Sequence, residues 1–288
     1  MTFSPRFLLY CHNVVGLGHV TRTLRIAAAL MRERACRVRL ITGCRFLDRL
    51  ALPDGLEVTR LPAVGVGENG RLIALDGSPA GAVMQARTQR IAAEVAELEP
   101  HVVLVDHNPI GLLGELTRAL DAESGTRFVW GVRDIWGTPE YLAKRRWFGD
   151  GPAAAASRMD RFHSAIAFTD PSWIDTFSVY RELKLPRRLQ SVGFVTGAPD
   201  PASARAAQSD VPPLVVALFG GGAEADAFVE LLRRALKSPL EQRSLRLRLV
   251  VGPFSGGIAA TRERLGTLAE AEVRAEGSAE ASIADADL

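Results

Sequence analysis

Short apolar runs alternate with amphipathic stretches along most of the chain. RFLLYC (6–11) reads as a buried strand that ends at the turn Gly16-Leu17-Gly18. Behind the turn, Val20, Leu24, Ala27, Ala28 and Met31 fall at i, i+4, i+7, i+8 and i+11. That is one stripe of a 3.6-residue period, so the segment predicts an amphipathic helix. RVRLIT (37–42) and EVTRLP (57–62) predict the second and third strands, and the Gly-rich, aperiodic residues 63–80 predict a long loop. A helix then runs to Pro100, HVVLV (101–105) is a strand, a helix follows Pro109, and RFVWGV (127–132) is the next strand. SAIAFT (164–169) and LQSVGF (189–194) predict two more, with a helix between them. Strands fed by intervening helices cannot pair as hairpins. A mostly parallel sheet, covered on both faces, is expected.

Residues 196–213, TGAPDPASARAAQSDVPP, hold little that could enter a core and predict a Pro-rich linker. Beyond it the pattern restarts: PLVVALF, the run Gly220-Gly221-Gly222, a helix, LRLRLVV, a second helix, EVRAEG and the start of a third helix. The expected class is therefore α/β with two Rossmann-like domains, residues 1–195 and 214–288. The second supplies three strands where a complete doubly wound sheet has about six, so it is expected to be incomplete.

Composition narrows the field. Hydrophobic residues make up 47% and charged residues 24%, as in a soluble globular protein. The net charge of +2 comes from 35 basic and 33 acidic residues without a basic stripe, which argues against a nucleic-acid partner. Cys11, Cys36 and Cys44 share no metal-ligand spacing. With no secretion signal at the N-terminus, they predict reduced thiols in a cytoplasmic protein. No run reaches the 18 or so apolar residues of a membrane span, though resting on a membrane surface stays open.

Both domains open with strand, Gly-rich turn and helix, an arrangement that offers backbone N–H groups to a phosphate or merely eases a tight turn. A dinucleotide fingerprint needs glycine where Thr21 stands and an acid where Thr42-Gly43 stand, so a nicotinamide dehydrogenase is excluded. No kinase-type P-loop occurs either. What remains is Gly16-Leu17-Gly18-His19-Val20-Thr21-Arg22, with Arg22 on the same helical side as His19. The positive end of a helix dipole beside an imidazole suits a general base; the alternative is a capping or packed histidine.

GLGHVTR resembles the G-x-G-H-x-x-R signature of two related groups built on the two-Rossmann-domain GT-B fold. One comprises predicted glycosyltransferases akin to the N-acetylglucosaminyltransferase of peptidoglycan precursor synthesis. The other comprises UDP-sugar hydrolases of pseudaminic acid synthesis. The first group is similar over nearly the whole chain, through FLLYCHNVVGLGHVTRTLRIAAAL, GVRDI, AFTDP, SVGFV, ALFGGG and VVGPF in that order. The resemblance implies sugar transfer from a nucleotide-sugar donor, a UDP-sugar, to a small-molecule or lipid-linked acceptor, with no cofactor and no metal. It implies His19 as base or acceptor-phosphate ligand, with Gly16, Gly18 and Arg22 on the acceptor side. Gly220, Gly221 and Gly222 would lie near the donor phosphates, although Glu224 departs from a phosphate cradle.

Asp106 ends the strand HVVLVD, and in some glycosyltransferases of this fold such an aspartate orients the catalytic histidine. The other reading is that Asp106 or Asn108 caps the helix after Pro109. Arg133-Asp134 reads either as a substrate-binding pair or as an ordinary ion pair, and His12-Asn13 as lining the site or merely ending a strand. The four tryptophans read best as core. The family's donor-specific loop lies beyond an Ala/Asp-rich helix end resembling the last residues here. The resemblance thus implies a chain without its final portion, and leaves a hydrolase or an inactive binding module as alternatives.

Overall fold

The structure is a computed structural model that describes residues 4–14, 16–67, 71–122, 124–133, 158–178, 186, 188–197, 211–220, 225–242, 244–253, 255–266, 271–275, 283 and 286. RFLLYC forms β1 (Arg6–Cys11), whose last four residues are buried. The helix behind it, α1 (Gly18–Glu33), buries Val20, Thr23, Leu24 and Ala27, so the stripe read from the sequence is the face that packs. β2 (Arg37–Thr42) and β3 (Glu57–Arg60) follow. Then come α2 (Ala80–Leu98), β6 (Val102–Asp106), the short α3 (Thr117–Asp121), β7 (Arg127–Val132), β8 (Phe162–Ala167) and β9 (Leu189–Ser191).

These strands make one seven-stranded sheet in the order β3-β2-β1-β6-β7-β8-β9, every neighbouring pair parallel. The chain winds outward one way from β1 and the other way from β6. Between them lies the switch point, where α/β sheets form a crevice at their carboxyl ends. Cys11 is in register with Asp106, so the residues leaving the two strands start side by side.

Residues 63–80 are not the unbroken loop the sequence predicts. β4 (Val64–Val66) and β5 (Leu72–Ala74) pair antiparallel. Their Val64 and Ala74 pack with Val83 and Leu112, against which Val14, Leu72 and Met84 also lie. Three-residue strands set in a Gly-rich segment carry too little periodicity to register as strands. The helix expected from Pro109 onward is also different. Leu112–Gly114 is a 3-10 turn, and α-helix begins only at Thr117. Positive φ at Gly111, Leu113 and Gly114 interrupts any earlier helix. Where a helix is expected between β8 and β9, residues 170–178 form turns and no α-helix, because Asp170 and Asp175 bond back to the chain at Ser172 and Ser178. Most of 179–188 lies outside the described residues, as does most of the helix expected at the chain's end.

This irregular segment is held by a buried ion pair. Arg87 on α2 donates to Glu115 through Nε (2.5 Å) and Nη2 (2.8 Å), and through Nη1 to the Pro62 carbonyl (2.7 Å). The Tyr10 hydroxyl donates to Glu115 Oε1 and accepts from the Leu112 N–H at 3.3 Å. Burial, then the charge of Glu115, hold the Tyr10 phenol well above its ordinary range. A Cβ on Gly43 would collide with the Arg87 guanidinium, so glycine there leaves the arginine its place.

The chain divides into two compact units, residues 1–14 with His19–Thr196, and Gly197–Leu288 together with the turn 15–18. In the second, β10 (Leu214–Leu218), β11 (Arg246–Val251) and β12 (Glu272–Ala275) form a parallel three-stranded sheet in that order. Two helices, α4 (Ala225–Glu241) and α5 (Gly257–Leu265), connect them. Val229, Leu247, Leu249, Val251, Leu265 and Val273 form the core of this unit.

Candidate active site

At the switch point, β1 runs into His12-Asn13 and β6 ends at Asp106, followed by His107-Asn108. His19 is the second residue of α1 and Arg22 lies one turn on. The first compact unit thus brings together His19, Arg22 and Asp106, three residues singled out in the sequence.

His19 Nδ1 lies 2.5 Å from Asp106 Oδ2, and Arg22 donates to Asp106 Oδ1 through Nη2 (2.6 Å) and Nε (3.0 Å). An ionised carboxylate only accepts, so the proton between His19 and Asp106 sits on Nδ1. Arg22 Nη2, 3.2 Å from the same Nδ1, is therefore a close neighbour rather than a second partner of that nitrogen. The His19 Nε2 lone pair is left to meet a ligand. Burial works to raise the Asp106 carboxyl, but hydrogen bonding and charge from His19 and Arg22 outweigh it and hold the group below its ordinary value. Its side chain is only 3% exposed. Arg22 also stacks on Phe168, its guanidinium carbon 5.2 Å from the ring centroid.

The cap reading of Asp106 gives way to this geometry: its carboxylate is spent on His19 and Arg22, and no helix starts at Pro109. Arg133, just past β7, is exposed and close enough to His107 for its charge to disfavour the imidazolium. Asp134, Gly221 and Gly222 lie outside the described residues. Gly220 follows β10 with φ +52°, a conformation glycine adopts freely. Gly16 has φ +79° and closes the turn before α1, whose first residue is Gly18.

His107 escaped the sequence reading. Its ring centroid is 5.6 Å from that of His19, and the His12 centroid lies 4.5 Å from His19 on the same comparison. The available signal was a repeat: two strands adjacent in the sheet each run directly into a His-Asn pair. Burial, then the charge of His19, push both His12 and His107 down to about 3.

Those depressed values make the site acid-labile. An unfolded histidine titrates near 6.5, so between about pH 6.5 and 3 the unfolded chain binds two protons that the folded site refuses. Stability is complete above that range and falls as pH drops. Allowing for the partial exposure of both rings, unfolding free energy at pH 5 should be about 2–3 kcal/mol below that at pH 7. Urea denaturation at the two pH values measures it. The difference should shrink by about half in His12→Asn; equal stabilities would mean both rings are solvated.

Among the described residues no cluster of His, Cys, Asp and Glu has the geometry to hold a metal ion, and no helix is long and apolar enough to cross a membrane. No family model and no curated protein matches the sequence. Solved structures do. Phytolacca americana UGT2, complexed with UDP-2-fluoro-glucose and pterostilbene, superposes at TM-score 0.58 and 15% identity, covering 97% of this chain and 73% of that one. A UDP-glucosyltransferase from Polygonum tinctorium capable of glucosylating indoxyl gives 0.55 and 13%, covering 96% and 73%. The UDP-GlcNAc 2-epimerase of Methanocaldococcus jannaschii gives 0.54 and 10%, covering 96% and 75%. The chain has the α/β GT-B fold. Since a transferase and an epimerase share that likeness, the fold alone does not select the reaction.

Proposed function

We propose that the protein is a glycosyltransferase that moves a sugar from a UDP-sugar to a hydroxyl of a small-molecule or lipid-linked acceptor. The observation that carries this reading is the His19–Asp106 pair at the switch point, with Nδ1 protonated and Nε2 presented. In this mechanism His19 Nε2 takes the proton of the acceptor hydroxyl as its oxygen attacks the anomeric carbon. The bond from that carbon to the diphosphate breaks and UDP departs with the electron pair. Asp106 holds the imidazole in the required tautomer and offsets the charge it gains, while Arg22 fixes the carboxylate.

On the donor side, the resemblance places the diphosphate near Gly220, between β10 and the N-terminus of α4, where backbone N–H groups and the helix end would receive it. It gives Gly221 and Gly222, outside the described residues, the same role. The reaction is read as metal-independent, as the family resemblance implies. Thiols at Cys11, Cys36 and Cys44, none in a disulfide, support a reducing, cytoplasmic setting.

Incubation with radiolabelled UDP-glucose and UDP-N-acetylglucosamine, with and without a panel of phenolic, sugar and lipid-linked acceptors, tests the reading. Label should enter an acceptor, and UDP release should depend on that acceptor. Acceptor-independent release of free sugar would establish a hydrolase instead, and donor binding without turnover a binding module.

A further inference from the structure

His107 occupies a backbone conformation that costs energy for any side chain. Its φ is +60°, in the left-handed region that glycine and asparagine enter far more readily. The Asn108 N–H donates back to the Asp106 carbonyl at 2.8 Å, closing a three-residue turn around His107. β7 grips that turn twice. The His107 N–H donates to the Gly131 carbonyl at 2.6 Å, and the Trp130 indole N–H donates to the His107 carbonyl at 2.7 Å.

The strained turn brings the imidazole no internal partner: His107 Nδ1 is buried without a hydrogen bond. Two neighbouring atoms share that condition. His12 Nδ1 is buried and unpartnered, and so is Oδ1 of Asn108, a residue only 4% exposed. Buried polar groups are nearly always paired, and three exceptions just past the carboxyl ends of the neighbouring strands β1 and β6 call for a ligand that pairs them. Strain of this kind persists where function needs it.

We propose that His12, His107 and Asn108 are acceptor-recognition residues that read the hydroxyl groups of a neutral sugar or polyol next to the hydroxyl that His19 deprotonates. This rests on the reading of His19 as the base. The chemistry of the three atoms selects the ligand. Asn108 Oδ1 offers a lone pair, and the neutral His12 ring carries one lone pair and one N–H. Lone pairs accept from hydroxyls and repel carboxylate or phosphate oxygens. The His107 ring, neutral and without a side-chain hydrogen bond among the described residues, both donates and accepts, as a hydroxyl group does. Arg22 is already committed to Asp106.

The test uses the full chain with isotope-labelled histidine, followed by imidazole NMR, with glucose, N-acetylglucosamine and glycerol as neutral probes. Glucose 6-phosphate and glucuronate serve as anionic probes. A neutral sugar should move the His12 and His107 signals with millimolar affinity, and each anionic analogue should bind at least fivefold more weakly. His107→Gly relieves the strain, so its melting temperature should equal or exceed that of the parent while sugar affinity drops at least fivefold. A purely structural His107 would lose stability and leave affinity unchanged. Anionic sugars binding as well as neutral ones, no response to any neutral probe, or undiminished affinity in His107→Gly would each overturn the proposal. His19→Ala separates the two readings. Retained turnover in that variant defeats the base assignment, whereas sugar binding in it should persist, with the His12 and His107 signals still moving on addition of a neutral sugar.

Discussion

His19→Ala should lower transfer from a UDP-sugar by about 10²–10⁴-fold, the range for loss of a positioned general base. The loss should fall on turnover, because in the proposed mechanism the ring meets the acceptor hydroxyl through Nε2, and among the described residues its hydrogen bond into the fold is the one from Nδ1 to Asp106. Asp106→Asn should produce a comparable loss for a different reason. An amide in that position can present its oxygen or its NH₂ to Nδ1, and only the first keeps the tautomer that leaves Nε2 free. Arg22, donating twice to Oδ1, would meanwhile lose its counter-charge. Initial-rate measurements at saturating donor, with melting temperatures recorded alongside, separate catalysis from folding. Near-parental turnover in His19→Ala would reduce the residue to a helix-terminal packing group.

The second large effect is on stability. Arg87 and Glu115 have fully buried side chains, and removing one partner strands the other charge in the core. Arg87→Ala should therefore cost about 3–5 kcal/mol, read as a shift of the urea midpoint. Replacing both by apolar residues of similar size, Arg87→Met with Glu115→Leu, should recover most of that loss, since a buried pair often stabilises no better than well-packed hydrocarbon. The recovery should stop short of complete. Tyr10 would be left with a buried hydroxyl that donates to nothing, because Glu115 is its acceptor.

What the residues disclosed and what they hid follow from range. β1, β2 and β7 stand where their apolar runs stand, and α1 buries the stripe that Val20, Leu24 and Ala27 trace, because burial on a sheet or helix imposes a local period. The hairpin of β4 and β5 escaped because three residues are too few for alternation to show. The missing helix after Pro109 escaped because Gly111, Leu113 and Gly114 take positive φ, which the apolar spacing of that segment conceals. Asp106 could be paired with His19 only through the family resemblance. Eighty-seven residues separate them, and a carboxylate at a strand end serves equally well as a cap until the sheet order is known. Arg87 gave no sign of its environment: an arginine on a long helix ordinarily faces water, and its partner lies 28 residues away on an irregular turn.

The strand order has one more consequence, for how the protein comes apart. β1 and β6 are hydrogen-bonded on both sides, whereas β3 and β9 each have a single neighbour and only four and three residues. Amide exchange should be fastest at those outer strands and slowest in Phe7–Tyr10 and Val103–Val105, the last segments to open. His12, Asp106 and His107 hang directly from the slow pair. Fraying at the sheet's margins can therefore run well ahead without touching the imidazole cluster, and on gradual denaturation the loss of its NMR signature should coincide with global unfolding.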